Sequence, residues 1–303
     1  MMRTNHVAGR WGTVLLAAAI LLGPLGCRDT KPAPSSPAAS QPASPAAATP
    51  PPVAPRAAGA PVAEATAFVP PERSNLPMAQ ALAEARAKWA ALATPEQAKA
   101  ADAQVAALAP LTAGAVKLAA KAPDFDALAT NGKELTLETL LKDGPVVLVW
   151  FRGGWCRFCS IQLSAMQQIL SEVEKTGAAI VAVSPQTVEY NRKTADHLGL
   201  DYELLSDPGN LGARKWGLLY ALNDEMMDML KGRVDLAKCN GDKSGEMPMT
   251  AVYVIAADGV VQYAAVDPDF RNRPDPQAVL AVLKDPAKIK PAAANPVGRR
   301  RKR

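Results

Sequence analysis

Pro145-Val146-Val147-Leu148-Val149-Trp150-Phe151-Arg152-Gly153-Gly154-Trp155-Cys156-Arg157-Phe158-Cys159 is the stretch on which the fold turns. Pro145 to Phe151 is a continuous apolar run rich in Val, the pattern of a strand buried on both faces. After Cys156, the residues Ile161, Leu163, Met166, Ile169, Leu170 and Val173 recur at helical spacing and predict a helix of about 17 residues. The two cysteines therefore stand in a strand-loop-helix junction, at the start of the helix. Unsatisfied amide N–H groups and the positive end of the dipole stabilise an anion there, so the Cys156 thiol is expected to ionise more readily than a free cysteine. Flanking Arg152 and Arg157 add positive charge. A thiolate is the nucleophilic form, which makes Cys156 the residue expected to attack an oxidant or a disulfide. Cys159, on the same side of the helix, is placed to resolve the product as an intramolecular disulfide.

Two other readings of the Cys-x-x-Cys pair stand beside this one. Half of a zinc site lacks its second pair, and Cys239, His197 and acidic residues would have to complete it. A static disulfide suits an oxidising compartment, but a strand-loop-helix placement with a preceding Trp is the arrangement of redox pairs.

Outward from the pair, Ala178 to Ser184 reads as another buried strand, Thr187 to Leu198 as a helix, Tyr202 to Leu205 as a short strand and Pro208 to Trp216 as a further helix. Thr250 to Ala256 and Val260 to Val266 flank Asp258-Gly259, which predicts an antiparallel hairpin, and Gln277 to Leu283 closes with a helix. Strand-helix repeats followed by a hairpin and a helix give an α/β fold, a mixed sheet flanked by helices on both faces. Upstream, Met78, Leu82, Ala85, Trp89 and Leu92 mark one face of a helix. Thr94-Pro95-Glu96-Gln97 supplies an N-cap, a first-turn proline and a capping-box Gln for a second helix to about Leu108. This N-terminal helical extension carries no evident chemistry, and Trp89 reads as a packing anchor.

Phe151 to Cys159 resembles the active-site loop of the peroxiredoxin-like branch of the thioredoxin superfamily, the alkyl hydroperoxide reductase and thiol-specific antioxidant group. Ala122-Pro123-Asp124-Phe125 resembles that family's opening motif, and Leu205-Ser206-Asp207-Pro208-Gly209-Asn210 its Leu-Ser-Asp-Pro-Gly turn. Met247-Pro248 occupies the place of the superfamily's cis-proline, and Val266-Asp267-Pro268-Asp269-Phe270, followed by Arg271 and Arg273, resembles the carboxy-terminal segment. The resemblance covers about residues 118 to 285 and implies a thioredoxin-like fold. It also implies a thiol peroxidase with Cys156 as peroxidatic nucleophile and Cys159 as resolving cysteine, the site being lined by Arg152, Gly154, Trp155 and Pro248. No metal, haem or flavin is needed. The implied partners are a peroxide and a thioredoxin-like or small-thiol reductant.

The chain departs from the family pattern at three points. Val149 and Gly153 stand where the family usually has Pro and Thr, and Met247-Pro248-Met249-Thr250 lacks the Arg that helps polarise peroxide. Arg152, Arg271 and Arg273 are the candidates to replace it, the last two also reading as surface charge. The departures keep open a thiol–disulfide oxidoreductase acting on exported proteins. A thioredoxin-fold metal-delivery or redox-sensing protein is the reading from another class, weakened because only His197 is available as a ligand. Ser184, Gln186 and Asp207 fit turn and helix-cap roles as well as the fringe of the site. Cys239 reads as a spare thiol and His197 as a helix-surface residue.

The amino terminus reads as an address. Arg3 and Arg10 precede the apolar run Val14 to Leu22, too short to span a bilayer and suited to a secretory signal over residues 1–26. Gly23-Pro24-Leu25-Gly26-Cys27 resembles the cleavage box of bacterial lipoproteins, with Pro24 where Leu is usual, so Cys27 is expected to be lipidated; an ordinary signal peptide is the alternative. Residues 27–69 follow as a tether: between Lys31 and Ala63, 26 of 33 residues are Pro, Ala or Ser, a composition that cannot bury a core. The expected layout continues with the helical extension (70–117), the thioredoxin-like domain (118–285) and a basic tail (286–303), in an exported protein held to a membrane of the bacterial envelope through its lipid. The net charge of +5 does not indicate a nucleic-acid partner. Arg299 to Arg303 with Arg3 and Arg10 account for seven of the 34 basic residues, which leaves 27 against 29 acidic groups.

Overall fold

The computed structural model describes residues 70–285. The expected signal segment, Cys27, the tether and the basic tail lie outside the described residues.

Two helices lead in chain order, α1 (Met78–Leu92) and α2 (Pro95–Leu108). The Thr94 hydroxyl accepts the Gln97 N–H while the Gln97 side chain accepts the Thr94 N–H, so the capping box expected at α2 is formed. There follow β1 (Asp126–Ala129), β2 (Glu134–Thr136), α3 (Leu137–Leu141), β3 (Val146–Trp150), α4 (Arg157–Lys175), β4 (Ala179–Ser184), α5 (Val188–Leu198), β5 (Glu203–Ser206) and α6 (Leu211–Lys215). An inserted unit adds β6 (Leu219–Ala221), α7 (Asp224–Leu230), α8 (Leu236–Asn240) and β7 (Glu246–Pro248). The chain then forms β8 (Thr250–Ile255), β9 (Val261–Asp267) and α9 (Pro276–Leu283).

Seven strands make one mixed sheet in the order β2-β1-β5-β4-β3-β8-β9, while β6 and β7 pair separately. β3 lies parallel to β4 and antiparallel to β8, with Val149 opposite Ala182 and Val252. All five β3 side chains are fully buried, as its unbroken apolar run requires. Each such burial is worth roughly 1.5–3 kcal/mol relative to exposure, which an edge position would forfeit. Alternate residues serve opposite faces. Val147, Val149 and Phe151 join a core with α1, α4, α5 and α9. Val146, Leu148 and Trp150 join a second core in which Trp216 lies 5.9 Å from Trp150 and 4.8 Å from Tyr253, ring centre to ring centre. This mixed sheet, helix-covered on both faces, is the thioredoxin-like architecture that the motifs imply.

One expected element is broken. Pro208 to Trp216 is not a single helix: a 3-10 turn at Pro208–Asn210 gives way to α6 through left-handed Gly209 and Asn210 (φ 66° and 56°). The buried Asp207 carboxylate restarts the helix by accepting the Gly212 and Ala213 N–H groups at 2.8 and 2.9 Å. Local polar bonding therefore overrides the apolar period there.

Candidate active site

Cys156 is the N-cap of α4, with φ −84° and ψ 110°, and Cys159 lies in the first turn. Both are free thiols, 5% and 0% exposed. The loop that delivers them from β3 is held tightly. The Gly154 N–H donates to the Gln186 side-chain oxygen, and the Gly154 carbonyl accepts the Ser160 hydroxyl at 3.0 Å. A Cβ at Gly154 would stand 2.2 Å from Thr194 Oγ1 on α5, so only glycine lets loop and helix approach.

Arg152 is 3% exposed. Its Nε donates to Met247 Sδ at 3.2 Å, and its guanidinium carbon lies 5.1 Å from the Trp155 ring centre and 4.7 Å from that of Phe270. Among the described residues no carboxylate pairs with it. Burial works against its charge, and the sulfurs of Cys156 and Cys159, with Tyr220, restore it. A buried cation set among sulfurs and aromatic rings stabilises negative charge on the thiols.

Arg273 approaches from the segment after β9. Its Nη2 donates to Cys159 Sγ at 3.2 Å, while Nη1 is fixed by the carbonyls of Phe270 and Asn272. This contact adds positive charge beside Cys159 that the helix start alone does not supply. Burial pushes the Cys159 thiol up, but the hydrogen bond from Cys156 and the charges of Arg273 and Arg152 outweigh it and bring Cys159 down to about 5. Cys156, which donates that hydrogen bond and is itself buried, is held well above the ordinary thiol range. The surroundings thus favour the thiolate form at Cys159 and the thiol form at Cys156.

Of the expected site residues, Arg152, Gly154 and half-buried Trp155 gather at the pair. Pro248 closes β7 opposite Leu219, directly after Met247, whose sulfur meets Arg152. Arg157 does not join the site: it donates to the Glu72 carbonyl at 2.7 Å. Arg271 is engaged by Asp102 and Asp269, both at 2.8 Å. Arg273, equally readable as surface charge, is the arginine that reaches the sulfur. His197 is exposed and Cys239 buried, its thiol pushed up to about 11 by burial and Asp235. Among the described residues no three His, Cys, Asp or Glu gather in a cluster that could hold a metal.

Residues 118–264 match the AhpC/TSA family. The match supports a peroxiredoxin-family, thioredoxin-like domain around the pair. Chloroplastic peroxiredoxin Q of Oryza sativa subsp. japonica is 25% identical over 178 residues, 59% of this chain and 72% of that protein. Its counterpart in Arabidopsis thaliana is 28% identical over 141 residues, 46% of this chain and 55% of that protein. The crystal structure of peroxidoxin BcpB from Mycobacterium tuberculosis aligns with TM-score 0.44 at 23% identity, covering 56% of this chain and 97% of that one.

The helical extension lies outside that match yet reaches the cysteine site. Arg86 Nη2 on α1 donates to the Arg271 carbonyl and to Asn272 Oδ1, both at 3.0 Å. Trp89 packs edge-on against Phe270 at 5.9 Å, and Phe270 in turn meets Phe158 at 5.9 Å. The extension therefore clamps the segment that carries Phe270 over Arg152 and Arg273 onto Cys159. Sequence reasoning found the anchor Trp89 but not its target, because the contacts join positions far apart in the chain.

Proposed function

We propose that the protein is a thiol peroxidase that reduces hydrogen peroxide or organic hydroperoxides through Cys156 and Cys159. The observation that carries this reading is a buried pair of free thiols facing two guanidinium groups, within the segment that matches the AhpC/TSA family. Cys156 is the more exposed sulfur and attacks; Cys159 takes its proton along the existing hydrogen bond. Attack of the Cys156 sulfur on one peroxide oxygen breaks the O–O bond and gives a sulfenic acid. The proton on Cys159 neutralises the departing oxygen, releasing water or an alcohol. The Cys159 thiolate then displaces hydroxide from the sulfenic acid, forming the disulfide, and solvent protonates the hydroxide. An external thiol reductant, thioredoxin-like or small, regenerates the pair. The fixed guanidinium groups of Arg152 and Arg273 oppose no reorganisation as negative charge moves between sulfur and oxygen.

Single-turnover kinetics of the reduced protein with hydrogen peroxide test the proposal. Loss of two thiols per peroxide, faster than free cysteine reacts, is expected. No such acceleration, together with rapid reduction of protein disulfides, would replace it with the thiol–disulfide oxidoreductase. We also propose export and lipid anchoring at Cys27, supported by the apolar run before it and the Pro/Ala/Ser-rich stretch after it.

A further inference from the structure

A cavity of about 230 Å³, lined by Gln162, Thr250, Asp267, Asn272 and Arg273 among others, meets the redox pair through Arg273, which donates to Cys159 Sγ. It is smaller than the ~300–1,000 Å³ typical of sites for drug-sized ligands, which points to a compact occupant. Its polar groups are unusually incomplete. Gln162 follows Cys159 by one turn of α4 and is 0% exposed, yet neither its Oε1 nor its Nε2 meets a protein partner among the described residues. Arg273 Nε is likewise buried without a partner. Buried amide and guanidinium groups left unpaired are costly, so this set is arranged for a polar ligand. The cavity also holds opposite charges, the Arg273 guanidinium and the Asp267 carboxylate. Asp267 Oδ1 is used by the Asp269 N–H.

Arg273 connects this cavity to the chemistry. In the reduced protein its Nη2 donates to Cys159 Sγ. Nε and Nη2 lie on one edge of the planar guanidinium, the edge that grips a carboxylate in two parallel hydrogen bonds. When Cys159 enters a disulfide it loses its negative charge, and that whole edge becomes available to another anion. The cavity is thus made attractive to an anion in the oxidised state, when a reductant is needed.

We propose that this cavity binds a small zwitterionic thiol of the amino-acid type, which reduces the Cys156–Cys159 disulfide. Its carboxylate is held by Arg273 and Gln162, and its ammonium by Asp267. This deepens, and rests on, the thiol-peroxidase cycle proposed above. The ligand thiolate attacks Cys159 Sγ, forming a mixed disulfide and expelling Cys156 as a thiolate, which takes a proton from solvent. A second thiolate attacks the ligand sulfur of that mixed disulfide, releasing the oxidised ligand dimer and returning Cys159 as a thiolate beneath Arg273.

The test uses protein oxidised with diamide, so that no peroxide step is involved, and follows the return of free thiols. Cysteine is compared at equal thiolate concentration with cysteamine, which lacks the carboxylate, and with N-acetylcysteine, which lacks the ammonium. Expected are a rate that saturates with cysteine, at least tenfold above both analogues, and a fall of that preference towards one in Gln162→Met and in Asp267→Asn. Asp267 is half-buried, so its variant remains informative if Gln162→Met fails to fold. Equal, non-saturating rates for the three thiols, or a preference that survives the Asp267→Asn substitution, would overturn the site. Peroxide consumption by the reduced protein is measured separately. Its absence would remove the peroxidase reading while leaving a thiol preference in the diamide experiment intact.

Discussion

Arg273 Nη2 lies 3.2 Å from Cys159 Sγ, although the two residues are 114 positions apart in the chain. The helix start on its own favours an anion at Cys156, its N-cap. A direct, part-buried guanidinium contact competes with a dipole effect that is typically worth only about 0.3–1 kcal/mol at exposed sites. The arginine therefore draws negative charge towards Cys159, in the first turn of α4.

Removing that contact should raise the pKa of the pair. Ultraviolet thiolate absorbance of the reduced wild type should persist on acidification and half-disappear near pH 5. In Arg273→Leu the midpoint should move up by about 1 to 3 pH units, the usual effect of losing a close opposite charge. The folded value lies below that of an unfolded thiol, about 8.5. The thiolate therefore contributes stability that is fully present above that pH and is lost as pH falls through about 5. Denaturation of wild type and Cys159→Ala across this window checks the sign: the gap between them should widen as pH rises.

The two thiols should not be interchangeable. Cys156→Ser should abolish peroxide consumption. Cys159→Ser should react once and stop at a sulfenic acid on Cys156 that a dimedone-type reagent traps. That single reaction should be slower at neutral pH than in wild type, because the acceptor for the Cys156 proton has gone. Retained turnover in Cys156→Ser would sink the assignment.

Gly154→Ala should destabilise the protein by about 1–3 kcal/mol, the range for overpacking a filled core. The added methyl meets Thr194 Oγ1 and Cγ2 at 2.2 and 2.6 Å. Chemical denaturation measures the loss, and a second substitution, Thr194→Ala, should recover part of it.

Arg86→Ala and Trp89→Ala should disturb the sulfurs without touching them. Both residues hold the segment from Phe270 to Arg273, so loosening it should shift the thiolate midpoint upward, in the same direction as Arg273→Leu but by less. A purely structural role would lower stability and leave the thiolate titration where it was.

Mass spectrometry of the mature chain from a bacterial host should find lipid on Cys27 as the first residue. An unmodified start elsewhere would remove the anchor from the proposal.

The sheet's centre was legible because β3, β4 and β8 are unbroken apolar runs, and α4 because its amphipathic period is long. Short elements with mixed polarity, such as β1, β2 and the β6–β7 pair, carry too few residues to show a period. They take their structure from hydrogen bonds to distant strands. The same division holds at the site. Cys156, Cys159, Gly154 and Trp155 are contiguous and could be read together. Gln186 on the loop, Met247 on Arg152 and Arg273 on Cys159 are long-range contacts that no local spacing encodes. The charge that Arg273 places beside Cys159 escaped the sequence for that reason: the dipole is local and the arginine is not.

The buried guanidinium of Arg152, with no carboxylate beside it among the described residues, bears on the redox poise of the pair. Oxidation to the disulfide deletes the anion that this cation and Arg273 both face, so two positive charges lose their compensation at once. Electrostatics thereby favours the dithiol, and a couple whose reduced form is stabilised has a high reduction potential. Such a disulfide accepts electrons readily from weakly reducing donors and resists accumulating in a resting protein.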